Sequence, residues 1–298
     1  MSTLSVVIVT QDRREELRRL LSDLAAMAEA AGDEIVVVDN GSVDATVEMV
    51  REEFPGVSLL VHPVNRGAPA ARNAAARTAR GETLVFLDDD TRVEDPRFLE
   101  RVRKLFETEG EAAVVAFRIL DPATRKPRRF EIPHRRKDRF EEPCETTTFI
   151  SAGCAVRRGV YETVGGMDES LTYGFEELDF SYRAISRGFR IFYRPDLWIL
   201  HSLSPTARSR GRRIYYLYRN KIWISARYLP WRMFVVQLGV WSAYFLREAL
   251  RIGRPDAFLT GLASGLAGVP GRLESRRRDR LSAGAIGRLR RLEGRLYY

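Results

Sequence analysis

The chain of 298 residues has room for one large or two modest domains, and its hydrophobic share of 45% is ordinary for a globular protein with a sizeable core. Its two cysteines, Cys144 and Cys154, do not make a disulfide framework, so a reducing compartment is expected. The net charge of +9 is unevenly distributed, because residues 205–298 contain 20 Lys and Arg against 5 Asp and Glu, whereas residues 1–204 contain 29 against 35. A basic tail on an acidic body indicates an anionic partner, either nucleic acid or an anionic membrane.

Strand and helix patterns alternate along the N-terminal part of the chain. Apolar runs predict strands at residues 4–9, 34–38, 57–61, 82–88 and 112–119, and apolar residues at helical spacing predict helices at 14–31, 45–53, 69–79 and 95–109. The chain begins without the basic segment and cleavage site of a signal peptide. The alternation predicts a parallel sheet with right-handed crossovers, and the ligands of such sheets bind beyond the carboxyl ends of the strands.

Polar residues follow three of these strands. The first ends at Thr10, the second at Asp39 and the fourth at Asp88, which Asp89 and Asp90 follow directly. Three adjacent carboxylates repel one another, and a hard cation such as Mg²⁺ or Mn²⁺ removes this conflict because it prefers carboxylate oxygens and bridges to substrate phosphates. A solvated acidic turn is the alternative. No Gly-x-Gly-x-x-Gly follows the first strand and no Walker-type loop is present, which argues against the usual dinucleotide and P-loop sites.

The middle of the chain changes character after residue 120. Residues 121–148 mix many Arg and Lys with Pro and Glu, which predicts a solvated loop, with a lid or an acceptor-contacting loop as the alternative. A short strand of small residues is predicted at 149–156, where Ala152 and Gly153 would allow the close approach of a sugar or diphosphate. Cys154 in this strand is interpreted as a packed small hydrophobe rather than a nucleophile.

An acidic cluster opens the next predicted helix. Glu176, Glu177 and Asp179 lie in its first turn, where acidic side chains interact favourably with the helix dipole. Three acids within four positions are nevertheless more than helix capping requires. A last strand is predicted at 189–193, ending before Pro195. His201 then follows, and a lone histidine is more often structural than a ligand.

The C-terminal part combines basic and aromatic residues. Residues 233–246 are almost wholly apolar, but these 14 residues are fewer than the roughly 20 that a membrane-spanning helix needs. Arg232 and Arg247 flank the stretch, which predicts helices that rest on an anionic membrane. A helical cap on the catalytic domain is the alternative, and the two are compatible. No nucleic-acid-binding motif is present, so nucleic acid is not expected as a partner.

Five motifs in order resemble the family 2 glycosyltransferases of the GT-A fold. They are Val7-Ile8-Val9-Thr10, Val37-Val38-Asp39-Asn40-Gly41-Ser42, Asn65-Arg66-Gly67, Ala71-Arg72-Asn73 and Phe86-Leu87-Asp88-Asp89-Asp90. The later Gly165-Gly166-Met167-Asp168-Glu169 segment before the acidic helix start is also similar, with Met167 in place of the usual Phe. The resemblance, closest to a rhamnosyltransferase-like branch, implies a mixed, mainly parallel sheet flanked by helices and a C-terminal helical membrane-associating extension.

The resemblance also implies domains and residue roles. The catalytic domain would be residues 1–204, with a nucleotide-sugar half at 1–110 and an acceptor half at 111–204, and the basic helical extension would be residues 205–298. Thr10 and Asp39 would hold the base, Arg72 would lie near the nucleotide, and Asp88 would contact the ribose. Asp88, Asp90 and His201 would together bind Mn²⁺ or Mg²⁺. Glu177 would be the catalytic base with Glu176 in reserve, and Asp179 would bind the acceptor or orient Arg183. Asp89 receives no role.

The implied function is an inverting, metal-dependent transfer of a sugar from a nucleoside-diphosphate donor to a hydroxyl of a glycan or lipid-linked glycan in cell-envelope polysaccharide synthesis. The protein would be cytoplasmic and peripheral at the inner face of the cell membrane. The alternative is a non-catalytic module that binds nucleotide sugars or polyanions, and metal-dependent nucleotide binding separates the two. A nucleotidyltransferase would need an activating basic residue near the donor phosphates, and no matching motif is evident. The sugar, the nucleotide, the acceptor and the oligomeric state are left open.

Overall fold

The computed structural model describes residues 3–203 and 210–294. The elements of the N-terminal part are β1 (Leu4–Thr10), α1 (Arg14–Ala31), β2 (Glu34–Asn40), α2 (Thr46–Glu53), β3 (Ser58–His62), α3 (Ala68–Thr78), β4 (Thr83–Asp88), β5 (Thr91–Arg92) and α4 (Phe98–Thr108). Every strand and helix predicted in this stretch is present, with ends that differ by a few residues.

The remaining elements complete the sheet and then form a helical region. They are β6 (Ala112–Leu120), β7 (Cys144–Thr146), β8 (Gly153–Arg157), α5 (Arg158–Val164), α6 (Glu176–Ser186), β9 (Arg190–His201), α7 (Arg210–Tyr228), α8 (Trp231–Arg251), α9 (Pro255–Ala267), α10 (Val269–Asp279) and α11 (Ala283–Arg291). The predicted domain boundary between residues 204 and 205 lies outside the described residues.

One mixed sheet organises the structure. Its strand order is β3-β2-β1-β4-β8-β6-β9-β5, and β7 pairs with β9. Within the described residues, β1 to β4 are parallel to one another, and β6 is parallel to β9. Because β8 runs antiparallel to both β4 and β6, all six of these strands point in the same direction. The prediction of a mixed sheet flanked by helices is confirmed. The carboxyl ends of β1, β2 and β4 meet at one edge, as the alternation of strands and helices predicted.

The two faces of the sheet carry separate cores. Along β1, Val6 and Ile8 point to the face that α1, α2 and α4 cover, whereas Val7 points to the face that α3, α5 and α6 cover. This alternation packs the central strands between two helical layers. Tyr228 of α7 and Leu289 of α11 belong to the second core, so the C-terminal helices share it.

The prediction that the last strand stops before Pro195 is wrong. β9 pairs in parallel with β6 on both sides of the proline, with Arg194 opposite Phe117 and Trp198 opposite Arg118. The three residues between these two pairs form a bulge. Residues in a bulge are not paired in the ladder, so a proline, which has no backbone N–H, can lie there without the loss of a hydrogen bond. As a result the strand continues to His201, which pairs with Thr91.

The prediction of a solvated loop at residues 121–148 is also wrong for its central part. Glu131, Ile132 and His134 are buried, and the backbone of His134 forms a β-bridge with Gly294 near the C-terminal end. Contacts with residues far along the chain therefore cover this segment. A single-sequence pattern does not reveal such contacts.

The C-terminal helices form a cap that packs on the sheet-bearing part. The side-chain amide of Asn220 on α7 donates to the carbonyl groups of Leu171, Tyr173 and Gly174 at 2.8, 2.9 and 2.9 Å. A third apolar core joins α7, α8 and α9 around Tyr218. No helix in the described parts of the chain combines the length and the apolar character that crossing a bilayer requires.

Candidate active site

Thr10 and Asp39 are neighbours at the ends of β1 and β2. Both are buried, and neither the Thr10 Oγ1 nor the Asp39 Oδ1 has a hydrogen-bond partner within the described residues. The other carboxylate oxygen of Asp39 accepts from the backbone N–H groups of Gly41 and Ser42 at 3.3 and 3.1 Å. Buried polar atoms without partners are costly, so this pair fits a ligand that supplies the missing hydrogen bonds.

The acidic run after β4 meets the end of β9. Asp88, Asp90 and His201 each offer one ligand atom, and the three atoms lie within 4.8 Å of one another. The His201 Nε2 is 3.1 Å from Asp90 Oδ1, and the His201 Nδ1 is 2.7 Å from Glu131 Oε1. Burial acts to lower the pKa of His201, but its hydrogen bonds with Asp90 and Glu131 raise it to about 10.

This cluster fits a divalent cation. Two carboxylates and one imidazole form a mixed oxygen and nitrogen ligand set, and the hydrogen bond from Nδ1 to Glu131 directs Nε2 toward the two aspartates. The predicted site residues do not include Glu131, because it lies in the segment expected to be solvated. Its only sequence signal was a glutamate within a basic stretch.

Asp89 has a partner of its own. The guanidinium of Arg13 lies 2.6 Å from Asp89 Oδ1 and 3.2 Å from Asp90 Oδ2. Burial raises the pKa of Asp89 to about 7, with Asp90 contributing in the same direction and Arg13 opposing it. The predicted site residues also do not include Arg13, although its position just after β1 places it at the edge where the ligand is expected.

Arg72 connects the acidic run to the acidic helix. Its guanidinium donates to Asp88 Oδ1 at 2.7 Å and to Glu176 Oε1 at 3.4 Å. Burial opposes the charge, but Asp88 and Glu176 raise the pKa of Arg72 above its ordinary value. Burial also raises the pKa of Glu176 to about 7, with the neighbouring Glu177 adding to the shift.

Glu177 has a different environment from Glu176. Its Oε1 accepts from the Ser151 N–H at 3.2 Å and from the Ser151 hydroxyl at 2.6 Å. Glu177 also lines a cavity of about 800 Å³ between the sheet-bearing part and helices α7 and α8. Glu176 is instead buried against Arg72, so the two candidate bases differ in their access to a ligand.

Asp179 does not fit the expected role in acceptor binding. Its side chain is fully buried, and its carboxylate accepts from Arg183 at 2.6 and 2.8 Å, from Tyr228 at 2.6 Å and from Arg227 at 3.1 Å. Asp179 therefore joins α6 to α7 and orients Arg183, which was the other role considered.

Ala152 and Gly153 are also not at a ligand surface. Ala152 belongs to the core beneath the sheet, and a Cβ on Gly153 would lie 2.7 Å from the Ile199 Cδ1. Packing of β8 against Ile199 thus requires the small residue. Cys154 is fully buried in the opposite core, as predicted for a packed hydrophobe.

The sequence matches a protein-family model over residues 5–165. This model is described as glycosyl transferase family 2. A pre-mycofactocin glycosyltransferase of Mycobacterium tuberculosis is 30% identical over 211 residues, which are 66% of this chain and 42% of the relative. The O-antigen biosynthesis protein RfbC of Myxococcus xanthus is 25% identical over 253 residues, which are 76% of this chain and 19% of that protein. The chain therefore spans less than half the length of these relatives.

Two solved structures share the fold. Staphylococcus aureus TarS 1–349 in complex with UDP-GlcNAc superposes with a TM-score of 0.62 at 19% identity, covering 92% of this chain and 83% of that one. The mannosyltransferase PcManGT from Pyrobaculum calidifontis, in complex with GDP-Man and Mn²⁺, superposes with a TM-score of 0.57 at 19% identity. That match covers 96% of this chain and 74% of that one.

Proposed function

Because the chain belongs to glycosyltransferase family 2, we propose that it transfers a sugar from a nucleoside-diphosphate donor to a hydroxyl group of an acceptor, with inversion and with help from a divalent cation. One observation carries this proposal. The three-ligand cluster of Asp88, Asp90 and His201 lies at the same sheet edge as the Thr10 and Asp39 oxygens that lack partners within the described residues. Arg72 joins this cluster to the helix that bears Glu177.

The donor would lie along the edge formed by β1, β2 and β4. Thr10 and Asp39 would hold the base, with the Asp39 carboxylate accepting from a ring N–H. Their buried, unpartnered oxygens support this role, since a base would supply hydrogen bonds that the described residues do not. Asp88 would contact the ribose, and Arg72 would hold the Asp88 carboxylate in place.

Asp88, Asp90 and His201 would bind Mn²⁺ or Mg²⁺ near the donor diphosphate. A cation bound there would neutralise the charge that grows on the departing diphosphate. Glu131 would keep the His201 imidazole oriented through Nδ1, and Arg13 would hold Asp89 away from the cluster. The binding of Mn²⁺ by PcManGT supports the choice of metal.

Glu177 would act as the catalytic base. It would take the proton from the acceptor hydroxyl as the oxygen attacks the anomeric carbon and the bond to the diphosphate breaks. Direct displacement of this kind inverts the anomeric centre. The two hydrogen bonds from Ser151 hold one carboxylate oxygen, and the position of Glu177 on the cavity wall supports its access to an acceptor.

The acceptor would be a glycan or lipid-linked glycan of cell-envelope polysaccharide synthesis, in a protein peripheral to the cytoplasmic face of the cell membrane. The name of RfbC, an O-antigen biosynthesis protein, supports an acceptor from polysaccharide synthesis. The outer face of α8 exposes Val235, Val236 and Val240, and Arg232 and Arg247 lie on the same helix, which supports contact with an anionic membrane. The resemblance to a rhamnosyltransferase-like branch remains part of this proposal.

Donor binding and turnover test the proposed function. A nucleoside diphosphate is titrated with and without Mn²⁺, and hydrolysis is then measured over a panel of nucleotide sugars. We expect metal-dependent binding, its loss in Asp90→Ala, and a decrease of about 10²- to 10⁴-fold in turnover for Glu177→Gln with nucleotide binding kept. The exposed Glu162→Gln on α5 is the matched control. Metal-independent binding without turnover would favour the non-catalytic module instead.

A further inference from the structure

The cavity beside Glu177 is lined mostly by residues outside the matched family region. Residues 5–165 match the family model, whereas helices α7 and α8 supply Arg213, Trp241 and Tyr244 to one wall. Phe175 and Glu177 of the sheet-bearing part lie on the other side. The volume of about 800 Å³ is large enough for a ligand of considerable size. The C-terminal helices therefore shape whatever molecule approaches Glu177.

Cations on this wall lack carboxylate partners. Among the described residues, no acidic side chain pairs with Arg210 or Arg213, whereas Arg251 pairs with Glu248 at 2.7 Å. Both unpaired guanidinium groups are exposed to solvent at the cavity. The wall thus offers two charges that the surrounding side chains do not neutralise.

Lys221 adds a buried charge behind the same wall. Its side chain is only 3% exposed, and its ammonium lies 4.8 Å from the centre of the Trp241 ring and 5.7 Å from the centre of the Phe175 ring. Both rings line the cavity, and no carboxylate pairs with Lys221 within the described ranges. A buried ammonium without an anion is unfavourable, so an anion in the cavity would stabilise it. Burial lowers the pKa of Lys221 to about 7.

The cavity continues into an exposed apolar strip. Tyr244 lines the cavity and is 49% exposed, and Val240 and Val236 follow it toward the N-terminus of α8 at 59% and 63% exposure. Positions four residues apart lie on one helix face, so the three side chains form a continuous apolar path. A hydrocarbon chain that leaves the cavity would lie along this path.

We propose that this cavity is the acceptor site for a phosphate-bearing lipid, whose phosphate is bound by Arg210 and Arg213 and whose hydrocarbon chain follows Tyr244, Val240 and Val236. The inference rests on the proposed function, because it places the hydroxyl-bearing head group of the same lipid beside Glu177. A phosphate accepts several hydrogen bonds from guanidinium groups at once, which suits a wall with two unpaired arginines.

Binding of dodecyl phosphate to the full chain tests this site by calorimetry. We expect dodecyl phosphate to bind at least about tenfold more tightly than inorganic phosphate, dodecyl maltoside or dihexanoyl phosphatidylglycerol. Of these four probes, only dodecyl phosphate joins a terminal phosphate to one long hydrocarbon chain. Arg210→Ala and Arg213→Ala should each weaken binding by about tenfold or more. Arg212→Ala is the matched control, because Arg212 stacks on Tyr216 at 5.5 Å rather than lining the cavity.

Each of the other outcomes would overturn part or all of the proposal. Equal binding of dodecyl maltoside, or unchanged affinity in both variants, would overturn the phosphate assignment. Equal binding of inorganic phosphate would overturn the lipid, and equal binding of dihexanoyl phosphatidylglycerol would indicate a general lipid site rather than an acceptor site. Arg213→Glu, also at an exposed position, reverses the charge and gives a further variant that leaves the core intact. Nucleoside diphosphate binding with Mn²⁺ but none of dodecyl phosphate would leave the proposed function standing and end this inference.

Discussion

At the scale of single residues, the site depends on partners that position its functional groups. His201 faces Asp90 through Nε2 because Glu131 holds its Nδ1 at 2.7 Å, and Glu131 in turn accepts from Arg128 at 3.3 Å. Arg13 similarly holds Asp89, and Arg72 holds Asp88. These buried ion pairs orient groups more than they add stability, because desolvation offsets much of their Coulomb attraction.

The role of Glu131 gives a prediction at this scale. Glu131→Ala should weaken Mn²⁺ binding by about 10- to 100-fold, because the imidazole loses the partner that fixes its orientation. The free Mn²⁺ signal in electron paramagnetic resonance measures the affinity directly, without turnover. Glu142→Ala is the control, since Glu142 is an exposed glutamate of the same segment that pairs with Arg139. An unaltered Mn²⁺ affinity in Glu131→Ala would exclude His201 as an oriented ligand.

At the scale of elements, the ends of strands bring the site together. β9 continues through the bulge at residues 195–197 and so delivers His201 next to the acidic run after β4. The turn after β2 is equally constrained, because Gly41 has a φ of +85° and accepts no side chain. Its backbone N–H also holds one oxygen of Asp39. The loops beyond the strands are therefore shaped by backbone geometry as well as by side chains.

The turn after β2 gives a prediction for this scale. Gly41→Ala should lower the free energy of unfolding by about 1–3 kcal/mol, because the new Cβ would lie 2.8 Å from the Val64 and Asn65 backbone at a positive φ. Urea denaturation followed by circular dichroism measures the change. Gly56→Ala is the matched control, since a Cβ there meets nothing within 4 Å and Gly56 has no positive φ. Equal stability of the two variants would show that the turn relaxes at no cost.

At the scale of the whole molecule, the C-terminal helices have two different faces. Their inner face is bound to the sheet-bearing part through Asn220, Arg227 and Tyr228. The outer face of α8 exposes an apolar surface, with basic residues at Arg232 and Arg247. The cap and the membrane-resting helices considered from the sequence are therefore compatible, and the proposed membrane contact concerns the outer face alone.

Vesicle binding gives the prediction for the whole molecule. The full chain should cosediment with phosphatidylglycerol vesicles more than with phosphatidylcholine vesicles, and salt should weaken the difference because it screens the arginines. A double variant, Val236→Asp with Val240→Asp, should release the chain by placing charge on the apolar face. Val61→Asp, an exposed valine on β3, is the control. Equal release by both variants would argue against α8 as the contact.

Local patterns in the amino-acid sequence were enough to predict several features of the structure. Hydrophobic periodicity predicted the alternation of β1 to α4, and the polar residues at strand ends located Thr10, Asp39 and the acidic run at one edge, because strands of a parallel sheet share their carboxyl ends. The motifs in order also indicated the family. All of these signals come from residues close together in the chain.

Contacts between side chains far apart in the chain follow from the three-dimensional fold and not from any local pattern. Glu131 and His201 are 70 residues apart, and Arg13 and Asp89 are 76 apart, so no local pattern connects them. The burial of Asp179 beneath Tyr228, the different environments of Glu176 and Glu177, and the cavity between α6, α7 and α8 likewise depend on how distant elements pack. The packing of distant elements determines how far each side chain is desolvated and which charges it pairs with. Residues of the same type can therefore have different chemical roles.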